Sequence, residues 1–206
     1  TFVRSPFLQA GSPTAASVCW RVTPAAKLTL KYGKTSTALD QSAAQSASVT
    51  DGCITVDKLS PDTKYFYEIY NGATRLAGGT GNYWVTHPVV AAKRKNTFWL
   101  LGAAGTGNAD QAAVRDAYVK ANGGTHTDGF VMLGDNAYED GLDSQFTNNL
   151  FKVYPTIMAN TFTWATIARY AAEAGADNPA QTAPLLTSEA NQLYPFINKG
   201  TVDVSG

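Results

Sequence analysis

The sequence predicts two structural parts, an all-β sandwich over residues 1–88 and an α/β part over residues 97–206, joined by a linker at residues 89–96. Two observations carry this prediction. Short runs of alternating apolar and polar residues, separated by turn residues, fill the first part, as in small antiparallel sandwiches. In the second part, a strand, a glycine turn, a helix and another strand follow one another, which favours parallel strands with both turns at one sheet edge.

The candidate strands of the first part share period-2 alternation and are bounded by glycine, proline, serine or aspartate. They are Phe7–Gln9, Ala16–Val22, Lys27–Tyr32, Cys53–Val56, Lys64–Tyr70 and Tyr83–Thr86. A sandwich of this kind seldom performs chemistry, so we interpret it as a packing and positioning module.

The two cysteines lie on two of these candidate strands. Alternation puts Trp20 on the inner face and Cys19 on the outer face, and likewise Ile54 inside and Cys53 outside. If the two strands are neighbours, an antiparallel pair brings the thiols within disulfide reach. The alternative is two unpaired, partly exposed thiols.

Composition limits the classes of function. With 44% hydrophobic and 16% charged residues, the chain is expected to be soluble and globular. Sixteen basic and sixteen acidic residues cancel, so no global field favours nucleic acid or an anionic membrane. No apolar run approaches the roughly 18 to 20 residues that cross a bilayer, and no signal peptide precedes Thr1, so a soluble and already processed protein is expected.

The second part contains five candidate elements with apolar periodicity. They are a strand at 97–101, a helix at 108–120, a strand at 129–133, a helix at 143–160 and a third parallel strand at 162–167. Pro155 falls inside the second helix, which predicts an end or a kink there. An open α/β sheet binds ligands outside the carboxyl ends of its strands. The candidate site residues are therefore Ala103 to Thr106 and Asp135 to Tyr138.

Two stretches, LLGAAGTGNADQAAVRDAY and THTDGFVMLGDNAYEDG, resemble the opening of secreted calcineurin-like metallophosphoesterases of the purple acid phosphatase type. In that family a Gly-Asp-x-Gly turn and a Gly-Asp-x-x-Tyr turn supply metal ligands. Asp135 matches the aspartate that bridges two metals, and Tyr138 matches the tyrosine that binds ferric iron. Ala103 stands at the position of the first aspartate. Ala-Arg-Tyr-Ala at residues 168–171 replaces the Asn-His motif of the third strand.

The stretch from Leu59 to Tyr67 looks like the entry to the penultimate strand of a fibronectin type III domain, with Trp20 as the expected core tryptophan. Together the two resemblances imply a fibronectin type III-like sandwich followed by a metallophosphoesterase-like α/β domain.

The family resemblance implies a secreted phosphatase that hydrolyses small-molecule phosphate monoesters at a centre of two metal ions. One ion would be iron, and the other iron, zinc or manganese. Neither nucleic acid nor a membrane is an expected partner. Activity is expected to be impaired, because ligands are missing at Ala103 and at Arg169 and Tyr170. The alternative is a non-catalytic extracellular binding or assembly protein that keeps the scaffold and binds no metal.

Asp135 and Tyr138 alone are too few ligands, since even one catalytic zinc normally has three. We therefore expect that the natural protein is longer, or that a second chain or a missing C-terminal part completes the α/β domain. His87 and His126 lie away from the predicted turns, and ordinary junction or surface roles are favoured for them. The basic run at residues 93–95 is interpreted as a solvated connector, with a phosphate-attracting patch as the alternative.

Overall fold

The structure is a computed structural model that describes residues 1–166 of the chain. These residues fall into two units. The first unit contains residues 1–98, 126–129 and 154–162, and the second contains residues 99–125, 130–153 and 163–166. The predicted domain boundaries, at residues 88 and 97, stay predictions.

Eight complete strands build the first unit, in two sheets. They are β1 (Phe2–Gln9), β2 (Ala16–Ala26), β3 (Leu28–Gly33), β4 (Gln41–Ala44), β5 (Val49–Val56), β6 (Lys64–Asn71), β7 (Thr74–Ala77) and β8 (Tyr83–Val85). One sheet has the order β5-β2-β1, and Leu8 of β1 also pairs in parallel with Phe162. The other has the order β4-β3-β6-β7, with β8 also paired to β6.

The sequence analysis found six of these eight strands and missed β4 and β7. Both missed strands have four residues and lie at the two ends of their sheet's strand order. Such short segments carry too few residues for alternation to show, and pairing with β3 and β6 fixes them instead. The strand that was predicted to begin at Cys53 begins earlier, at Val49, because pairing with β2 extends it.

The inner faces of the sandwich hold the aromatic core. Trp20 and Trp84 are completely buried, which confirms Trp20 as a core tryptophan. The ring of Trp84 lies between those of Tyr65 and Tyr67, with centroids 5.7 and 5.6 Å away. Burial of a ring of this size is among the largest single contributions to a small core.

Cys19 and Cys53 lie opposite each other in the antiparallel β2–β5 pair and form a disulfide, as predicted. Cys53 is exposed, on the outer face where alternation placed it. The outer position predicted for Cys19 is only partly right, because its side chain is 1% exposed. β2 lies between β1 and β5, so neighbouring strands flank Cys19 on both sides, and Phe7 of β1 pairs directly with it.

The elements of the second unit begin with β9 (Phe98–Leu101), the helix α1 (Ala109–Asn122) and β10 (Gly129–Met132). A later strand, β11 (Phe162–Ala165), gives the order β11-β10-β9. These elements match the predicted ones to within about two residues, the usual uncertainty at element ends. Asn108 caps α1 through its side-chain oxygen, and Gly123 ends the helix in the left-handed conformation.

Helix α1 covers one face of β9 and β10. The ring of Trp99 stacks on Tyr118 of the helix at 4.1 Å and on Phe130 at 4.9 Å. Leu100 and Leu133 are 58% and 55% exposed. Since neighbouring residues of a strand point to opposite faces, Trp99 lies on a covered face and Leu100 on a face that residues 1–166 leave open.

The helix predicted over residues 143–160 is interrupted before Pro155, where an end or a kink was predicted, but its first part is not one regular α-helix. The structure has a short helix α2 (Asp143–Phe146), a π-helical turn at Thr147–Phe151 and a separate helix α3 (Pro155–Met158). Pro155 is the first residue of α3, where its missing N–H costs no hydrogen bond. The proline therefore begins a helix at the point where the sequence predicted an interruption.

Among the described residues, no helix has both the length and the apolar character to cross a membrane. The all-β sandwich followed by an α/β part is confirmed.

Candidate functional site

Two turns follow the carboxyl ends of β9 and β10, and backbone hydrogen bonds hold them together. We call these segments, residues 102–106 and 133–138, the paired turns. The N–H of Ala103 donates to the carbonyl of Gly134 at 3.1 Å, and the N–H of Tyr138 donates to the carbonyl of Gly105 at 2.7 Å. The two turns therefore lie side by side, as expected from the prediction that both would be at one edge of the sheet.

Gly105 lies where the paired turns touch. A Cβ atom at this position would overlap backbone atoms of Asn136 and Ala137. The neighbouring atoms belong to the main chain, so a side chain could be accommodated only by moving the turns apart. The glycine is therefore required by close approach of the two backbones.

The backbone is left-handed at Ala103 (φ 52°) and at Asp135 (φ 53°). Aspartate and asparagine adopt this conformation more readily than alanine, because their short polar side chains interact with the local backbone. The conformation therefore suits the residue found at position 135. At position 103 the same conformation is held by an alanine, for which it is less favourable.

Asp135 and Tyr138 are brought together by the second turn. The Tyr138 hydroxyl donates to Oδ2 of Asp135 at 3.3 Å. The other carboxylate oxygen, Oδ1, is shielded from water and has no hydrogen-bond partner among the described residues. A buried acceptor without a partner costs about 1 to 3 kcal/mol, and more when charged. A cation bound at Oδ1 would remove that cost.

Side-chain amides support the paired turns from behind. Asn149 donates from Nδ2 to the Tyr138 carbonyl at 3.0 Å, and its own carbonyl accepts from Nε2 of Gln111 at 2.8 Å. Gln111 is 5% exposed and also accepts from the N–H of Gly107. Asn136 donates from Nδ2 to the Thr166 carbonyl at 3.1 Å.

The sequence analysis missed these amides. For Gln111 a signal was present, because Asn108 followed three residues later by glutamine is the pattern of a helix capping box. Asn108 accepts from the N–H of Gln111 at 3.0 Å, as in that motif. Asn149 lies in the irregular π-helical turn, where no periodicity marks it.

Other residues singled out in the sequence lie elsewhere or outside the described part. His87 and His126 belong to the first unit, where His87 packs on Phe162 and His126 on Tyr83. Arg94 of the basic run forms ion pairs with Asp128 and Asp62, so one of the three basic residues of that run takes part in the fold. Arg169 and Tyr170 lie outside the described residues, as do Ile167 and the whole segment after it.

Asp135 and Tyr138 supply donor atoms that suit a cation, but they are too few to complete a metal centre. Carboxylate and phenolate oxygens suit a hard cation, and the unpartnered Oδ1 provides a free donor atom. In residues 1–166 there is no group of three or more histidine, cysteine, aspartate or glutamate side chains arranged to hold a metal ion. These residues alone therefore do not make up a two-metal centre, and the assignment of Asp135 and Tyr138 as ligands stays a prediction.

Comparison with known proteins establishes the fold. No family model matches the chain, and no curated protein matches it. A solved structure of PhoD superposes with a TM-score of 0.63 at 14% sequence identity, covering 82% of this chain and 39% of the PhoD chain. The sixth fibronectin type III domain of human fibronectin type III domain containing protein 3 superposes with a TM-score of 0.31 at 20% identity, covering 45% of this chain and 90% of that domain.

This chain spans 39% of the PhoD chain that it matches. At 14% identity the likeness concerns the fold alone. A sandwich followed by an α/β part, as in PhoD, is therefore the fold of this chain.

Proposed function

We propose that this chain is part of a metal-dependent phosphoesterase, to which it contributes Asp135 and Tyr138 as metal ligands. The observation that carries the proposal is the unpartnered, buried Oδ1 of Asp135 at the carboxyl end of β10. The tyrosine hydroxyl, 3.3 Å from the same carboxylate, gives a second oxygen donor of suitable chemistry. The phosphoesterase-type fold supports the reaction class.

In such an enzyme the metals polarise a phosphoryl oxygen and activate water. The residues of this chain have a positioning task. The backbone hydrogen bonds between the paired turns fix Asp135. Asn149 holds the Tyr138 backbone by donating from Nδ2 to the Tyr138 carbonyl. The further ligands come, in our proposal, from residues after Thr166, from more chain or from a second chain that completes the α/β domain. The open face at Leu100 and Leu133 and the 39% coverage of PhoD support this view.

The finer proposal is a secreted enzyme of the purple acid phosphatase type, which hydrolyses phosphate monoesters with iron and a second iron, zinc or manganese. The hydroxyl of Tyr138 lies close to the carboxylate of Asp135, which would let both bind the same iron ion. Iron bound by a tyrosinate gives that family its colour. The Cys19–Cys53 disulfide supports an extracellular location, because disulfides persist in oxidising compartments.

The first experiment is elemental analysis of the purified protein together with its visible spectrum. We expect Asp135→Asn to lower the metal content per chain, and Tyr138→Phe to keep metal while losing the visible absorption. Asp110→Asn is the matched control, because Asp110 is an exposed carboxylate in the first turn of α1. Equal metal content in the wild type and Asp135→Asn would contradict the proposal.

A second experiment restores the acidic residue at position 103. Aspartate accepts the left-handed backbone at this position better than alanine does, so Ala103→Asp should fold normally. We expect it to raise the affinity for Mn²⁺ or Zn²⁺, measured by isothermal titration calorimetry. Ala104→Asp, one residue along the same turn, is the control that adds a carboxylate at the wrong position. If both variants bind equally, position 103 has no special place in the site.

The second candidate function is a non-catalytic extracellular assembly protein. Ala103 at the position of a metal-binding aspartate favours it. A wild-type protein that binds neither Mn²⁺, Zn²⁺ nor Fe³⁺, and whose Asp135→Asn variant behaves identically, would replace the first proposal with this one.

A further inference from the structure

A cleft of about 640 Å³ opens in the first unit, between the β3–β4 connection and the β5–β6 connection. The residues that line it include Tyr32, Lys34, Asp40, Asp57, Lys58 and Tyr65. Its volume lies within the range of about 300 to 1,000 Å³ that is usual for small-ligand sites. All of these residues lie in the first unit, and none belongs to the paired turns.

Two of the residues that line the cleft are tyrosines packed on a buried tryptophan. Tyr32 and Tyr65 both pack against Trp84, with centroids 5.6 and 5.7 Å away. Tyr65 is 6% exposed and its hydroxyl accepts from the N–H of Ser60 at 3.0 Å, so its role is structural. Tyr32 is partly exposed, and its hydroxyl makes no hydrogen bond within residues 1–166. Tyr32 therefore offers a ligand both a ring and a free hydroxyl.

The walls carry charges of both signs in equal number. Burial raises the pKa of the Tyr32 hydroxyl most, followed by Tyr65, and Asp57 and Asp40 lie close enough to raise it further. Lys34 and Lys58 also line the cleft, and Lys34 Nζ is 6.0 Å from the Tyr65 ring centroid. None of these four charged groups forms an ion pair within the described part of the chain.

This balance selects the class of ligand. Two carboxylates and two ammonium groups cancel, so the cleft has no net charge to attract a strongly anionic or cationic ligand. The carboxylates accept hydrogen bonds from hydroxyl groups, and the lysines donate to hydroxyl or ring oxygens. An aromatic ring beneath such groups suits a ligand that has an apolar face and polar edges. A sugar ring combines these properties.

We propose that this cleft binds a neutral carbohydrate, with a sugar ring packed on Tyr32 and its hydroxyl groups bonded to the surrounding aspartates and lysines. The sandwich would then carry a recognition function of its own, independent of metal binding and of phosphate-ester hydrolysis. This extends the interpretation of the sandwich as a packing module.

The test is calorimetric titration of the full chain with four neutral trisaccharides, cellotriose, laminaritriose, mannotriose and N-acetylchitotriose. We expect saturable binding of at least one, with a dissociation constant of about 1 mM or tighter. Tyr32→Ala should weaken that binding about tenfold, and Tyr70→Ala should leave it unchanged. Tyr70 is the matched control, because it lies on β6 of the same sheet but does not line the cleft.

Tyr32→Ala removes contacts with Trp84, so its fold is checked by near-ultraviolet circular dichroism. Should that variant unfold, Asp57→Asn carries the test, because Asp57 is exposed and asparagine has nearly the same size. It should weaken the trisaccharide several-fold.

Inorganic phosphate and the zwitterion glycylglycine are the charged probes, and neither should bind at this cleft. Three results would overturn the proposal. They are no binding of any trisaccharide at about 10 mM, binding that Tyr32→Ala and Asp57→Asn leave unchanged, and binding of glycylglycine alone.

Discussion

The sandwich core and the paired turns hold their residues in place by different means. In the core, Trp84 contacts three tyrosine rings, and these contacts together fix its position. At the paired turns, two backbone hydrogen bonds, one glycine contact and the amides of Asn136 and Asn149 determine where Asp135 lies. Loss of core contacts should therefore lower stability throughout the first unit, whereas a change at the turns should act locally and on ligand binding.

The largest effect that this comparison predicts comes from Trp84→Ala. Removing a completely buried indole leaves a cavity, and such changes usually cost about 3 to 5 kcal/mol in free energy of unfolding. Urea unfolding followed by circular dichroism measures it. Val90→Ala is the control, because Val90 is 95% exposed. A variant as stable as the wild type would show that the aromatic cluster does not hold the core.

The next effect concerns the Cys19–Cys53 disulfide. The double variant Cys19→Ala/Cys53→Ala should lose about 2 to 4 kcal/mol, because the unfolded chain gains freedom over a separation of 34 residues. Urea unfolding with and without dithiothreitol measures this loss. The reductant should lower the midpoint of the wild type and leave that of the double variant alone. An unaffected wild type would contradict the bond's contribution.

A smaller and more local effect is expected for Gly105→Ala. The new methyl group forces the paired turns apart, at a cost of about 1 to 3 kcal/mol. Metal binding, if present, should weaken in the same variant because Asp135 moves. Gly81→Ala is the control, since a Cβ there meets open space. Equal hydrogen exchange at the Tyr138 amide in Gly105→Ala and the wild type would refute a tight contact.

The smallest effect is a pH dependence in the first unit. Burial lowers the pKa of both His87 and His126 from the ordinary value of 6.5, with further lowering by Arg94 and partial compensation by Asp128. Below about pH 6.5 the unfolded chain therefore binds protons that the folded protein does not. The free energy of unfolding should be highest above that pH and should fall as pH drops through the lowered pKa values.

Urea midpoints at about pH 7.5 and about pH 5 measure this change. The double variant His87→Gln/His126→Gln should show a smaller difference between the two conditions. An equal difference in both proteins would assign the pH dependence to carboxylates instead.

The same comparison explains what the sequence could predict. Alternation in Val18, Trp20 and Val22 reflects burial of one face, which depends on each residue's own chemistry and is visible without a structure. The order strand, turn, helix and strand likewise predicted that the turn at Ala103 and the turn at Asp135 would lie at one edge of the sheet. The left-handed backbone at Ala103 and the contact at Gly105 arise from pairing between two distant segments, and no local pattern encodes them.

The prediction of a regular helix after Asp143 was only partly right, for a related reason. Phe146, Leu150 and Val153 have helical spacing, and they are buried as that spacing predicts. The backbone nevertheless widens into a π-helical turn, where the Asn149 carbonyl and side chain bond outside the helix to Gln111 and Tyr138. Tertiary hydrogen bonds override a periodic signal there.

Strand β9 ends the strand order of the second unit within the described residues, and its outward Leu100 is 58% exposed. An apolar strand at the end of a strand order is a template on which another copy can add its own strand. We therefore expect the protein to precipitate as its concentration rises, most strongly at a pH where its net charge is near zero. Leu100→Lys places a charge on that strand and should keep the protein in solution at concentrations where the wild type forms aggregates.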